Sequence, residues 1–176
     1  FNAGYIAFRN SEEGRRALRW WRNKCEESCS VIADSKVYAD QRYLDDIPHL
    51  FNGVFISEHT GVNAAPWNIL GKDITRVNGI VFVNEQPLLI YHMQGFKIIG
   101  YNIFDLYCGD QKIPTTIRKL IYLPYLCHLK NAESLLSKDY HRLTKLKISL
   151  LFRLIIRELK RVLFGVSNIY WYRFSK

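Results

Sequence analysis

Ile74-Thr75-Arg76-Val77-Asn78-Gly79-Ile80-Val81-Phe82-Val83 is the stretch on which the fold class turns. Two short runs of β-branched and aromatic residues flank an Asn-Gly pair. Asn-Gly fits a two-residue type I′ turn, because both central positions need φ > 0 and these two residues reach it with least strain. The spacing therefore predicts a β-hairpin over 74–83.

Downstream, a turn at Asn84–Pro87 leads into a further predicted strand, Leu88-Leu89-Ile90-Tyr91-His92. Upstream, residues 58–68 carry Gly61, Pro66 and two Asn and read as a loop, and Gly53 to Ser57 reads as a strand. A short helix is expected from near Asp40 to Pro48, where the ring stops it. Ser11 is a natural N-cap with Glu12 and Glu13 behind it, so a helix is expected from there to about Cys29. Leu18, Trp21, Cys25 and Cys29 fall on one face of it. Residues 1–8 read as a buried strand. After about residue 105 the pattern turns helical. Over 143–164, Leu143, Leu146, Leu150 and Leu154 face one way, and Lys145, Ser149, Arg153, Arg157 and Arg161 form an opposite polar stripe. The sequence then runs to Tyr170-Trp171-Tyr172-Arg173-Phe174.

With 176 residues, 48 % of them hydrophobic, there is material for a packed core, and disorder is excluded as the default. No apolar run reaches the roughly 18 residues that span a bilayer. The net charge of +9 is uneven: residues 1–111 hold 11 Lys+Arg and 13 Asp+Glu, whereas residues 112–176 hold 14 and 3. The basic third points to an anionic partner. Its charges alternate with a wide Leu/Ile face, which fits a membrane surface, the alternative being that this face packs on the body or on a second protomer; no nucleic acid is expected, because that face would be wasted on phosphates. The terminal aromatics are of the kind found at bilayer interfaces. The opening Phe-Asn-Ala-Gly has no basic n-region, so no signal peptide is expected. Cys25, Cys29, Cys108 and Cys127 form no Cys-x-x-Cys and no zinc spacing; buried, reduced thiols in a cytoplasmic setting are expected.

No self-sufficient active-site motif occurs: no Gly-x-Gly-x-x-Gly, no phosphate-binding P-loop, no His-Glu-x-x-His, no Gly-x-Ser-x-Gly and no Asp-x-Asp. Four stretches still carry chemistry. Asn2-Ala3-Gly4 offers an amide and small residues that let a ligand approach the backbone. Asp40-Gln41 places a carboxylate beside an amide, with Asp45 a turn on. Asn63-Ala64-Ala65-Pro66-Trp67-Asn68 puts an indole and two amides on one loop. His92 ends an apolar run and precedes Gly95-Phe96. Sugar hydroxyls need carboxylates and amides, and the apolar face of a pyranose lies on an aromatic ring. Each also has a plain structural reading: Asp40 as a helix cap, Trp67 as a core plug, His92 as a structural His, Asn2 as a loop closure.

Taken in order, Phe1-Asn2-Ala3-Gly4-Tyr5-Ile6-Ala7-Phe8, Asp40-Gln41-Arg42-Tyr43-Leu44-Asp45, Asn63-Ala64-Ala65-Pro66-Trp67-Asn68 and Ile90-Tyr91-His92-Met93-Gln94-Gly95-Phe96 resemble the C-terminal half of a bacterial GT-A glycosyltransferase, of the glycogenin-like nucleotide-diphosphosugar type. The resemblance covers about residues 1–100. It implies a partial GT-A, Rossmann-like α/β sandwich over 1–105, with a mixed sheet containing residues 1–8 and 88–92, followed by a basic amphipathic helical tail over 106–176. It implies that Asn2, Ala3 and Gly4 line the donor sugar and that Asp40 binds its hydroxyls, with Gln41 near the anomeric carbon. His92 is implied at a Mn²⁺ or Mg²⁺ and diphosphate site, and Asn63, Trp67 and Asn68 beside the acceptor. Two departures stand out: the Asp-x-Asp half is absent, and Lys97 comes one residue early and lacks the family's following Pro-Trp. The chain thus reads as a piece of a longer enzyme.

The implied reaction moves a sugar from a nucleotide-diphosphosugar to a glycan or lipid-linked acceptor, as in envelope polysaccharide synthesis. A divalent ion would offset charge on the departing diphosphate, and a His ligand favours Mn²⁺ over Mg²⁺. The resemblance favours retention at the anomeric carbon. The peripheral tail would hold the enzyme at the inner face of the cytoplasmic membrane. The alternative is a non-catalytic carbohydrate-binding or scaffold module derived from the same fold.

Overall fold

A computed structural model describes residues 1, 3–28, 39–100, 102–135 and 148–172, with side chains from residue 155 onward in the last stretch. The chain divides into two compact units, Phe1–Asn63 and Ala64–Lys176.

In the first unit, α1 (Glu12–Glu27) begins as expected. The Ser11 hydroxyl accepts the Gly14 N–H at 3.2 Å, and Glu12 and Glu13 occupy the first turn. The helix ends at the Ser28 cap; Cys29 lies outside the described residues. Its inward stripe is Ala17, Trp20 and Trp21, whereas Leu18 is 43 % exposed and Cys25 only half-buried. The two indoles set the rotation. Trp20 meets Phe51 edge-on at 5.7 Å and Trp21 stacks on Phe8 at 5.9 Å, and two partly buried indoles outweigh one leucine. The Trp21 ring N–H also donates to the Asp40 carbonyl at 3.0 Å.

The strand expected over 1–8 is not formed among the described residues. Ala3, Ile6 and Phe8 pack on the α1 core as a loop, and Phe1 and Tyr5 stay exposed, because no second strand offers a ladder. Gly53–Ser57 is likewise unpaired, with Val54, Phe55 and Ile56 exposed. The helix expected over 40–48 is a 3₁₀ segment, Ala39–Asp45, followed by the single turn α2 (Ile47–Leu50). Pro48 starts that turn instead of ending a helix, since a first-turn N–H has no intrahelical partner to lose.

In the second unit, β1 (Ile74–Val77) and β2 (Ile80–Val83) form the predicted hairpin, with Asn78 at φ 50 and Gly79 at φ 85. β3 (Gln86–Pro87) pairs back onto β2 through a turn at Asn84, φ 54, whose side chain accepts the Asp73 N–H at 3.1 Å. The pairing therefore falls earlier than the strand expected at Leu88–His92. Beyond it, Leu88 donates one bond to the Val81 carbonyl and Tyr91 forms a single parallel bridge with Ala64. A second sheet joins β4 (Lys97–Gly100), β5 (Ile103–Asp105) and β6 (Ile169–Trp171), with Ile103 opposite Trp171 and Asp105 opposite Ile169. Both sheets are three-stranded and antiparallel, so the chain is mixed α/β, and the expected mixed sheet holding both 1–8 and 88–92 does not occur among the described residues.

A helical run follows β5: α3 (Thr115–Ile117), a π-helical segment Arg118–Tyr122 and α4 (Leu123–Ser134). Pro124 has no N–H to offer the carbonyl four residues back, which accounts for the wider turn before it. Ile117, Ile121, Tyr122 and Leu126 bury themselves against Phe104, Leu106, Val83 and Ile69. The boundary expected at 105/106 thus falls inside the second unit. Tyr170 and Tyr172 pack against this core, while Trp171 is 67 % exposed. Cys108 is half-buried and Cys127 exposed, in contrast to the expected buried thiols.

The last helix, α5 (Ile148–Leu163), has its polar face turned inward. Arg157 and Arg161 bind the fully buried carboxylate of Asp105 at 2.9 and 2.7 Å. Two arginines of the basic stripe are held inside, because a buried carboxylate needs paired cations. Residues 143–147, and the side chains of Ser149, Leu150, Arg153 and Leu154, lie outside the described set. No helix among the described residues is long and apolar enough to cross a membrane.

Candidate functional site

The first unit brings two of the expected donor-side elements together. The Ala3 N–H donates to Gln41 Oε1 at 3.2 Å, so the 3₁₀ segment is tied to the Ala3-Gly4 turn through the amide side chain. Asp40 sits beside it, half-buried in the first turn of that segment, its backbone carbonyl fixed by Trp21. The backbone nitrogen of Phe1 reaches the Asp45 carboxylate. Asn2 lies outside the described residues.

The second unit assembles the Trp67 loop and His92. Ala64 and Ala65 are fully buried and anchor a turn in which Pro66 presets the backbone. Asn68 closes it from both sides: its N–H donates to the Ala65 carbonyl at 3.1 Å, and its Oδ1 accepts the Ala65 N–H at 2.7 Å. Trp67, between them, is held outward at 37 % exposure. Ala64 also accepts the His92 N–H at 2.7 Å and donates to Ile90 at 3.0 Å, which fixes His92 beside this turn. The two rings meet edge-to-face, with centroids 5.4 Å apart and planes at 80°. His92 Nδ1 is buried and has no hydrogen-bond partner among the described residues. Behind it, Tyr91 donates to the Tyr122 hydroxyl at 3.3 Å, and burial pushes the Tyr91 hydroxyl up to about 12. Asn63, at φ 55, adopts the left-handed conformation that Asn tolerates. It closes the first unit, one residue before Ala64.

An unsatisfied ring nitrogen can donate its lone pair to a divalent ion, so His92 fits one place in a metal site. No three His, Cys, Asp or Glu side chains group together among the described residues, so His92 is not part of a complete ligand set there. Lys97 opens β4 and is exposed.

A cluster that the sequence reading did not anticipate surrounds Asp105. Glu158 accepts Arg161 at 2.5 Å and the Ser167 hydroxyl at 3.0 Å. Asn168 Nδ2 donates to the carbonyls of Tyr107 and Gln111 at 3.0 and 2.8 Å, while its Oδ1 accepts the Ile113 N–H at 2.7 Å. A cleft of about 490 Å³ opens beside it, lined by Cys108, Asp110, Arg157, Lys160, Arg161, Phe164 and Val166. The signal available in the sequence was a lone acid inside the apolar run Ile103-Phe104-Asp105-Leu106.

No protein-family model matches the chain, and no solved structure matches it. It is similar to "Uncharacterized protein YfnD" of Bacillus subtilis (strain 168), with 38 % identity over 134 residues, 74 % of this chain and 42 % of that protein. It is also similar to "Uncharacterized protein YfnF" of the same organism, with 33 % identity over 103 residues, 58 % of this chain and 34 % of that protein. The chain thus spans less than half the length of the curated relatives it matches.

Proposed function

We propose that the chain is the C-terminal half of a GT-A-type glycosyltransferase catalytic domain, acting on a nucleotide-diphosphosugar and a glycan or lipid-linked acceptor. The observation that supports this most is the Trp67–His92 pair. It sets an outward indole, suited to the apolar face of a pyranose, beside a ring nitrogen left without a partner among the described residues. In the first unit, the tie between Gln41 and Ala3 is consistent with a donor-side role for Ala3, Gly4, Asp40 and Gln41.

In this reading a divalent ion, Mn²⁺ or Mg²⁺, would supply offsetting charge for the departing diphosphate. His92 would offer its nitrogen to that ion, and the remaining ligands would be carboxylates from outside this chain. Asp40 accepts hydrogen bonds from donor hydroxyls, and the Gln41 amide oxygen is electron-rich enough to stabilise positive charge at an anomeric carbon. Trp67 orients the acceptor ring.

The test is nucleoside diphosphate release by the complete protein from a panel of nucleotide-diphosphosugars, with and without Mn²⁺. Release that requires the metal and is lost in His92→Ala supports the reading; no release from any donor overturns it. The exposed Trp67 indole also suits a carbohydrate-binding module without catalysis. Glycan retention that depends on Trp67, with no donor turnover, selects that second reading.

A further inference from the structure

We propose that the outer face of α5 docks on an anionic lipid surface. The helix is amphipathic in the reverse sense from a helix that covers a core. Three of its described charged residues face the protein: Arg157 and Arg161 hold Asp105, and Glu158 is bound by Arg161 and Ser167. The apolar residues whose side chains are described face out. Ile155, Ile156, Leu159, Val162, Leu163 and Phe164 are 43 to 83 % exposed. Asp105, which α5 grips, alternates with Ile103 along β5, and Ile103 stands opposite Trp171 on β6. Ile103, Ile169 and Trp171 therefore share the sheet face of Asp105 and are themselves exposed. Six exposed apolar side chains in one ten-residue stretch mark a partner.

Charge selects the partner. Residues 112–176 carry 14 Lys+Arg against 3 Asp+Glu. The two acids of that region among the described residues are occupied within the fold, Glu133 by Lys130 and Glu158 by Arg157 and Arg161. The cations directed outward, such as Lys160 on α5 and Lys112 and Lys119 before α4, are therefore not offset by those acids. A second copy packed on the same helix face would oppose Lys160 with its own kind, whereas anionic headgroups complement it. The helix would lie in the interface plane with Leu159, Leu163 and Phe164 among the acyl chains and Lys160 at headgroup level. Arg157 and Arg161 take no part in lipid contact, because Asp105 and Glu158 hold them. This inference is independent of the glycosyl-transfer reading.

The test is flotation of the full chain with vesicles of phosphatidylcholine alone and of equal parts phosphatidylcholine and phosphatidylglycerol. Binding to the anionic vesicles is expected, weakened by salt. It should fall at least ~10-fold in the double variant Leu159→Ser/Leu163→Ser, and less in Lys160→Glu. Both leucines are more than half exposed, and circular dichroism with a urea midpoint checks that the variants keep the wild-type fold. Absence of flotation with anionic vesicles, or equal flotation of the double variant, overturns the proposal. A concentration-dependent dimer in sedimentation equilibrium, abolished by the double variant and without vesicle binding, overturns it in favour of a second copy.

Discussion

Arg161 reaches Asp105 across 56 residues of chain and meets its carboxylate at 2.7 Å, with the two side chains only 9 and 0 % exposed. Removing one partner of such a pair strands a buried charge, at a cost of about 3 kcal/mol or more. Arg161→Met is therefore expected to lower the urea midpoint of the second unit strongly. Arg157 binds the same oxygen but is 30 % exposed, and Arg157→Met is expected to cost about 1 kcal/mol. Equal losses in the two variants would contradict the assignment of Arg161 as the principal counter-ion.

Glu158 extends this cluster into a pH dependence. Burial acts to raise its carboxyl, but hydrogen bonds from Arg161, Arg157 and Ser167 outweigh it and hold the group below its ordinary value of 4.5. A carboxyl depressed in the folded state contributes stability above its unfolded pKa and loses it as pH falls through the folded value. Urea midpoints measured from pH 7 downward should thus fall more steeply in the wild type than in Glu158→Gln, with the difference opening below about pH 4.5. Parallel curves would show that Glu158 carries no such linkage.

Two glycines are expected to fail for different reasons. A Cβ on Gly79 meets nothing within 4 Å, but its φ of 85 lies in the left-handed region, so Gly79→Ala should cost about 1 kcal/mol through the backbone alone. A Cβ on Gly14 would stand 2.0 Å from the Arg9 carbonyl oxygen, so the loop entering α1 must move. Gly14→Ala should therefore perturb the near-ultraviolet signal of Trp20 and Trp21, whereas Gly79→Ala should leave it unchanged.

Asp40 offers a separation of fold from chemistry. Trp21 is held by the backbone carbonyl of Asp40, not by its side chain, so Asp40→Asn is expected to leave the first unit intact. In the proposed reaction the same change should lower kcat by about 100-fold, as for a group that acts in the transition state. A kcat near wild type would return Asp40 to a structural role.

Elements written in local chemistry were legible. Asn78-Gly79 announces its own turn, and Ser11 with Glu12 and Glu13 announces a helix start, because the groups that satisfy the backbone are neighbours in sequence. What failed depended on distant partners. Residues 1–8 and 53–57 read as strands on side-chain character, but a strand exists only where another edge supplies its hydrogen bonds. Lys97–Gly100 and Ile103–Asp105 were passed over because they are short and gain their third strand from Ile169–Trp171. The inversion of α5 was hidden for the same reason: nothing near Arg157 or Arg161 in sequence reveals that Asp105 waits for them. For the candidate site, residue types pointed to Gln41 beside Ala3 and to Trp67 near His92 only in order along the chain; the 3.2 Å bond and the 5.4 Å ring contact come from folding.

The late position of β6 has a consequence for biosynthesis. β5 follows β4 after only two residues, but Asp105 must wait for 56 further residues before Arg161 emerges, and longer for Ile169 to pair with it. Throughout that interval the nascent chain carries an open strand edge next to a carboxylate without its cations. Closing so long a loop is entropically slow, and an unpaired edge invites pairing with the wrong chain. Translation through the α4–α5 region is thus a window of vulnerability, in which a stalled ribosome or an early stop codon would leave an aggregation-prone intermediate rather than a shortened but folded protein.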